Sequence, residues 1–300
     1  MSDPTSDRST VAAATTAIEG ATEGWRPDTL AVRAGLSRSG FEETSEGLYL
    51  TSGFVYDTAE DAEAAFKGDV DRFVYSRYGN PTVTMFEERL RAIEGAEACF
   101  ATGSGMSAVF VALAALLGKG DRVVSSRALF GSCFVILDEI LPRWGVETVF
   151  VDGPDLDQWR EALSEPTTAV FFETPSNPMQ ELVDIAAVSE LAHAAGAKVV
   201  VDNVFGTPVF SKPLEHGADI VVYSATKHID GQGRVLGGAV LGPKEFVDGP
   251  VQNLMRTPAP RCRPSTPGSS SRASRRCHCG SSGWRPVPSR WPGSSSRTRA

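Results

Sequence analysis

A lysine that could bond covalently to a carbonyl compound lies in the segment SATKHIDGQG, residues 224–233. The apolar run before it, from Ile220 to Tyr223, has the short, β-branched composition of a buried strand. Lys227 is therefore expected just beyond the carboxyl end of a strand, between hydroxyl-bearing residues and glycines. Most lysines are ordinary surface residues, so its chemistry depends on what surrounds it.

Two other features could supply the partners that such a lysine needs. The run KVVVD ends on Asp202, and the segment TGSG, residues 102–105, precedes an apolar helix whose free N–H groups favour an anion. Each feature is common by itself, and an aspartate at a strand end is as often a cap or a metal ligand. Together they meet the needs of pyridoxal 5′-phosphate (PLP): an amine for its aldehyde, a carboxylate for its pyridine nitrogen and amides for its phosphate.

The elements that must position these residues alternate between residues 80 and 245. Strand-like runs occur at RVVSS, ETVFVD, TAVFFET, KVVVDN and DIVVYS, and helical patterns such as DLDQWREALS and DIAAVSELAHAAG separate several of them. Unbroken apolar strands separated by helices predict an α/β fold with a mostly parallel sheet covered by helices on both faces. A ligand site in such a fold gathers outside the carboxyl ends of the strands.

Composition limits the classes of protein that this chain can belong to. Its 300 residues are 41% hydrophobic, enough for a sizeable core, and its net charge of −8 argues against a nucleic-acid partner. There is no apolar run of about twenty residues, so no membrane partner is expected. Only Cys99 and Cys133 precede residue 257, and the first residues lack a signal-peptide pattern; both observations predict a cytoplasmic protein.

The composition changes abruptly after Arg256. Residues 257–300 contain nine Arg, eleven Ser and seven Pro but no Asp, Glu or Lys, and Val287 is the only aliphatic or Phe residue apart from Ala. A frameshifted sequence is the preferred interpretation, and a basic tail for nucleic acid is the alternative. The CHC of residues 277–279 lacks the paired spacing of a zinc site, so no metal is predicted. The predicted organisation is a disordered leader (1–28), an N-terminal arm (29–68), a PLP-binding large domain (69–256) and a disordered tail (257–300).

Residues 29–256 resemble the fold-type I PLP enzymes of cysteine and methionine metabolism. The resemblance is carried, in the family's order, by the motifs LTSGFVY, YSRYGNPT, GSGMSA, ETPSNP, VVVDN and YSATKHIDGQG. It implies that Lys227 forms the Schiff base with PLP and that Asp202 pairs with the pyridine nitrogen. It also implies a phosphate site made of Ser224, Thr226 and the amides of Gly105 and Met106.

The resemblance further implies roles for three residues outside that set. Asn177 would donate a hydrogen bond to the phenolic oxygen of PLP. Tyr75 and Arg77 would reach the site of a neighbouring subunit, so a homo-oligomer, a dimer at least and usually a tetramer, is expected. Many members of the family have a phenol over the PLP ring at the position of Phe130. Phenylalanine can still stack on the ring, but it lacks the hydroxyl that could act as an acid or base. Ordinary core packing of Phe130 is the alternative.

The expected reaction is γ-replacement on an O-acyl-homoserine. Phe130 favours the sulfhydrylase branch, in which sulfide, or another thiol, replaces the succinate of O-succinylhomoserine and gives homocysteine. Cystathionine γ-synthase and γ-lyase activities are the alternatives within enzymes. A product that binds PLP without turnover is a further alternative, because members of the family continue past the position of Arg256 into a smaller domain whose arginine pairs with the substrate carboxylate.

Overall fold

A computed structural model describes residues 22–257 of the chain. These residues form seven strands: β1 (Ala98–Thr102), β2 (Arg122–Ser126), β3 (Glu147–Val151), β4 (Ala169–Glu173), β5 (Lys198–Asp202), β6 (Ile220–Ser224) and β7 (Gly238–Gly242). The strands make one sheet in the order β1-β7-β6-β5-β4-β2-β3. Strands β2 to β6 run parallel, and β7 is antiparallel to both β1 and β6. The five predicted strands, β2 to β6, are confirmed, whereas β1 and β7 were not predicted.

Helices connect the strands and cover the sheet. The α-helices are α1 (Pro27–Arg33), α2 (Ala59–Lys67), α3 (Pro81–Glu94), α4 (Gly105–Leu116), α5 (Gly131–Val135), α6 (Leu156–Ala162), α7 (Ile185–Ala194), α8 (Thr207–Phe210), α9 (Lys244–Phe246) and α10 (Gln252–Arg256). Three π-helical turns occupy Ile136–Ile140, Ala225–Ile229 and Val247–Val251, and two 3-10 turns occupy Leu141–Trp144 and Pro213–His216.

The sheet separates two apolar cores, as a sheet with helices on both faces requires. Successive side chains of a strand point to opposite faces, so Phe172 packs in one core and Phe171 in the other. The first core includes residues of α3, α6 and α7, among them the fully buried Trp159. The second includes α4 and the segment from residue 247 to Met255. The predicted α/β fold is therefore confirmed.

Local signals explain where the helices around the site begin and end. Asn80 caps α3 by accepting the amide of Thr82 at 3.0 Å, and Gly95 ends it with a left-handed φ of 82°. Helix α4, the apolar helix predicted after TGSG, is confirmed, and none of its residues is exposed. Both helices begin with a side-chain cap because Asn80 and Ser104 each accept an amide of the first turn.

The described residues before α3 cross the surface with little regular structure. They are tied to α3 by the buried side chain of Arg89, which donates to the carbonyl oxygen of Ala34 at 2.9 Å and pairs with Glu46. Phe41 and Val55 are largely exposed there. Within residues 22–257, no helix is both long enough and apolar enough to cross a bilayer. Of the predicted leader (1–28), residues 1–21 lie outside the described residues, and helix α1 already begins at Pro27. Of the predicted tail (257–300), residues 258–300 lie outside them.

Candidate active site

The carboxylate of Asp202 lies at the carboxyl end of β5, in the middle of the sheet. The side chain is buried, and one carboxylate oxygen, Oδ1, accepts the amide of Val204 at 3.1 Å. Burial and, after it, the nearby carboxylate of Glu173 together raise the pKa of Asp202 to about 7. In the described part of the chain, the groups that shift this pKa include no lysine or arginine. A buried carboxylate without a cation favours a ligand that brings a positively charged N–H group.

The N-terminus of α4 lies directly against the end of β6. A Cβ atom built on Gly105 would be 2.5 Å from the Cβ of Ser224, so only glycine permits this approach. Ser104 caps the helix by accepting the amide of Ser107 at 3.1 Å, and its carbonyl accepts the amide of Ala108. Among the described residues, the amides of Gly105 and Met106 have no hydrogen-bond acceptor. These two amides and the half-buried Ser224 hydroxyl together form a cradle for an anion.

Lys227 follows β6 within the π-helical turn Ala225–Ile229. Its backbone departs from helical geometry, with φ −91° and ψ −113°, and its side chain is exposed. The neighbouring Thr226 hydroxyl accepts the amide of Gly237 at 3.1 Å and lies 3.3 Å from its carbonyl oxygen. The amine of Lys227 is thus accessible, whereas the hydroxyl of Thr226 already has backbone partners.

Phe130 and Asn177 lie on two loops that share one carboxylate. The amide of Phe130 donates to Oε2 of Glu173 at 2.9 Å, and the amide of Asn177 also donates to this carboxylate. Phe130 is 43% exposed. The alternative of ordinary core packing for Phe130 is therefore wrong, and its ring is accessible to a ligand.

Tyr75 and Arg77 lie in a different part of the molecule. Arg77 donates to the carbonyl oxygen of Arg256 and stacks over the rings of Tyr75, at 5.5 Å, and Tyr78, at 4.8 Å. Arg77 and Arg256 line an open cleft of about 1240 Å³ between residues 65–87 and 252–257. Tyr75 is 41% exposed, so its ring is open to contact from outside this chain.

The residues present fit PLP. Asp202 offers a buried negative partner for the pyridine nitrogen, the amides of Gly105 and Met106 offer donors for the phosphate, and the amine of Lys227 is accessible for the aldehyde. A single Cβ atom on Gly105 would fill this cradle. At phosphate sites glycine lets the backbone approach the ligand closely, so this geometry is further evidence for a phosphate site.

Sequence reasoning missed Glu173 and Cys133 at this edge. Glu173 is the first residue of the motif ETPSNP, two positions before Pro175. The thiol of Cys133 lies 4.0 Å from the sulfur of Met106, and burial together with Asp202 and Glu173 keeps its pKa above the usual range. For Glu173, the available signal was its place at the carboxyl end of a predicted buried strand, where a charged residue is unexpected.

Comparison with known proteins agrees with this geometry. Residues 28–266 match the family described as Cys/Met metabolism PLP-dependent enzyme. The chain is 70% identical over 232 residues to the O-succinylhomoserine sulfhydrylase of Mycobacterium tuberculosis strain H37Rv, covering 77% of this chain and 57% of that protein. It is 50% identical over 243 residues to the O-succinylhomoserine sulfhydrylase of Pseudomonas aeruginosa, covering 81% and 60%. The chain thus spans less than two thirds of the length of both relatives.

A solved structure provides an independent comparison. A crystal structure from Campylobacter jejuni that carries N'-pyridoxyl-lysine-5'-monophosphate superimposes with a TM-score of 0.70 at 31% sequence identity, covering 75% of this chain and 56% of that one. The family match covers well over half of the sequence, and it includes every element around the carboxyl edge of the sheet. The chain therefore belongs to the Cys/Met metabolism PLP-dependent enzyme family.

Proposed function

We propose that the protein binds PLP at the carboxyl edge of the sheet and acts as an O-succinylhomoserine sulfhydrylase. The observation that carries the proposal is the buried, cation-free carboxylate of Asp202 in the same edge as the unpartnered amides of α4. Lys227 is the proposed attachment residue because it follows the adjacent strand β6. The 70% and 50% identical relatives support this substrate choice.

Each residue has a distinct part in the proposed chemistry. Bound PLP supplies an electron sink that makes protons on the substrate's α and β carbons removable. Asp202 would keep the pyridine nitrogen protonated, while Gly105, Met106 and Ser224 would hold the phosphate. Lys227 would accept and return the protons at Nζ. The γ carbon then loses succinate as its C–O bond breaks, and it gains sulfide as a C–S bond forms.

The remaining predicted residues complete the proposed site. Phe130 would cover the ring by stacking, and because it has no hydroxyl it leaves proton transfer to Lys227. Asn177 would donate to the phenolic oxygen. Thr226 would donate to the phosphate only by giving up its contact with the carbonyl oxygen of Gly237, since its hydroxyl has a single proton to donate.

We also propose that the working protein is a homo-oligomer in the cytoplasm. The accessible ring of Tyr75 and the position of Arg77 in an open cleft support contact with a neighbouring copy. Within residues 22–257 the cysteines Cys99 and Cys133 are both free thiols, in keeping with a reducing compartment.

The function is tested by following three reactions of O-succinylhomoserine with the purified chain and added PLP. With sulfide, the proposal predicts equal amounts of succinate and homocysteine, and no product from the Lys227→Ala variant. Cystathionine formed faster with cysteine would favour the synthase alternative, and 2-oxobutyrate formed without a thiol would favour the lyase. Bound PLP with no product in any of the three reactions would replace the proposal with the cofactor-binding alternative.

A further inference from the structure

Glu173 is a buried acid in the centre of the proposed site to which no role has been given. It is the last residue of β4, only 3% exposed, and it lies opposite Asp202 in the register of β4 and β5. A carboxylate in such a position is costly unless hydrogen bonds compensate for the lost water. Its hydrogen-bond partners therefore indicate why an acid is there.

The carboxylate of Glu173 accepts hydrogen bonds from two loops that are far apart in the sequence. Oε2 lies 2.9 Å from the amide of Phe130, which begins α5 after strand β2, and the carboxylate also accepts the amide of Asn177 in the loop after β4. These are the two residues proposed to contact the face and the phenolic oxygen of the PLP ring. Hydrogen bonds to an ionised acceptor are stronger and shorter than neutral ones, so this pair can fix both loops.

Glu173 also acts on the proposed partner of the pyridine nitrogen. Its negative charge raises the pKa of Asp202, in addition to the effect of burial. The other groups that face Asp202 are the amide of Val204 and the side chains of Cys133 and Tyr223, whose own pKa values Asp202 raises. Glu173 is thus the only acidic side chain among the described groups that shift this pKa.

We propose that Glu173 is a positioning residue whose single carboxylate holds the Phe130 loop and the Asn177 loop in place around the PLP ring and sets the charge environment of Asp202. The inference rests on the proposed cofactor site. It assigns Glu173 no contact with PLP or with substrate. Its effects would reach the ring through two backbone amides and through the electrostatic field at Asp202.

The experiment measures the dissociation constant of PLP as a function of pH for the purified chain and two variants. In the unsubstituted chain, Kd should fall as the pH rises through about 7, since Asp202 then ionises and can pair with the pyridine nitrogen. Glu173→Gln keeps one oxygen acceptor but removes the charge, so the midpoint should move to lower pH while Kd near pH 8.5 changes by less than about threefold. Glu173→Ala removes both hydrogen bonds, so it should move the midpoint and also raise Kd near pH 8.5 about tenfold.

Glu87→Gln is the matched control, because Glu87 is also a buried acid whose carboxylate accepts a backbone amide, that of Ala101 at 2.8 Å. Its midpoint and Kd should equal those of the unsubstituted chain. Variants of Glu173 that bind PLP with an unchanged midpoint and Kd would overturn the inference and leave the cofactor site standing. A higher Kd with no midpoint shift in either variant would indicate general loss of packing and would also overturn it. Failure of the unsubstituted chain to bind PLP at any pH would overturn the cofactor site itself, and the inference with it.

Discussion

Substituting Gly105 by alanine tests the anion cradle at the N-terminus of α4 with a single carbon atom. The new Cβ would lie 2.5 Å from the Cβ of Ser224 and 2.9 Å from its Cα and Oγ atoms. Carbon atoms in contact are separated by about 3.5–4.0 Å, so the helix and the end of β6 must move apart by roughly 1 Å. The added carbon meets a neighbouring backbone, which cannot rotate out of the way as a flexible side chain would.

The substitution should affect PLP binding much more than stability. Overpacking costs about 1–3 kcal/mol, whereas replacing a helical glycine by alanine stabilises by about 0.5–1 kcal/mol. The two contributions partly cancel, so the free energy of unfolding should fall by no more than about 2.5 kcal/mol. The amides of Gly105 and Met106, by contrast, would be displaced by roughly 1 Å from a phosphate, and a misplacement of that size can cost about 100-fold.

The assay is a titration of the apo chain with PLP, together with chemical unfolding in the absence of PLP. Gly105→Ala should raise Kd by about 100-fold. Gly249→Ala is the matched control, because Gly249 is also a helical glycine and, apart from its chain neighbours and its own helix, no atom lies within 4 Å of the new Cβ position. Pro250 follows it in the same helix, so this control should leave Kd unchanged without stabilising the chain. A Gly105→Ala chain that binds PLP as tightly as the unsubstituted one would refute the reasoning that this close approach builds the phosphate site.

Three further predictions concern the amine, the buried acids and the assembly. Lys227→Ala should abolish the visible absorbance of lysine-bound PLP and leave the far-UV circular dichroism unchanged, because the exposed side chain has no part in core packing; loss of the folded spectrum would contradict this. Burial raises the pKa of Glu94 and of Asp202 to about 7, so without PLP their contribution to stability should be complete below about pH 4 and lost as the pH rises through about 7. Stability is measured by unfolding at pH 5 and pH 8, and Glu94→Gln should make the loss between these two pH values smaller by about 2.5 kcal/mol; an unchanged loss would refute the assignment. Mixing Lys227→Ala chains with Arg77→Ala chains should restore part of the PLP-dependent activity through hybrid sites, and mixed oligomers without restoration would count against a site shared between subunits.

The sequence was informative where a side-chain pattern reflects burial directly. Strands such as KVVVD are unbroken apolar runs because both faces of a parallel strand are covered, and helix α4 is apolar all round for the same reason. The strands β1 and β7 were missed because ACFAT and GAVLG are rich in small residues. The antiparallel direction of β7 depends on how it fits between β1 and β6, which no local pattern encodes.

The candidate site was predictable to the extent that its residues follow strands or begin a helix. Asp202, Ser224 and Gly105 meet at one edge, as the carboxyl-end rule for parallel sheets predicts. The contact of Thr226 with Gly237 could not be predicted, because the return of the chain toward β7 brings these two residues together. The role of Glu173 was equally hidden, since its partners Phe130 and Asn177 approach it from separate loops.

The attachment of PLP to Lys227 is the central claim, and reduction of the PLP complex with borohydride followed by peptide mapping tests it most directly. The reduced cofactor should be found on Lys227, just beyond the carboxyl end of β6, and the Lys227→Ala chain should carry no label. Lys198 is the useful internal comparison because it begins β5 at the opposite edge of the sheet, where it pairs with Asp219 at 2.7 Å. Label on Lys198 or Lys212 in place of Lys227 would contradict the account.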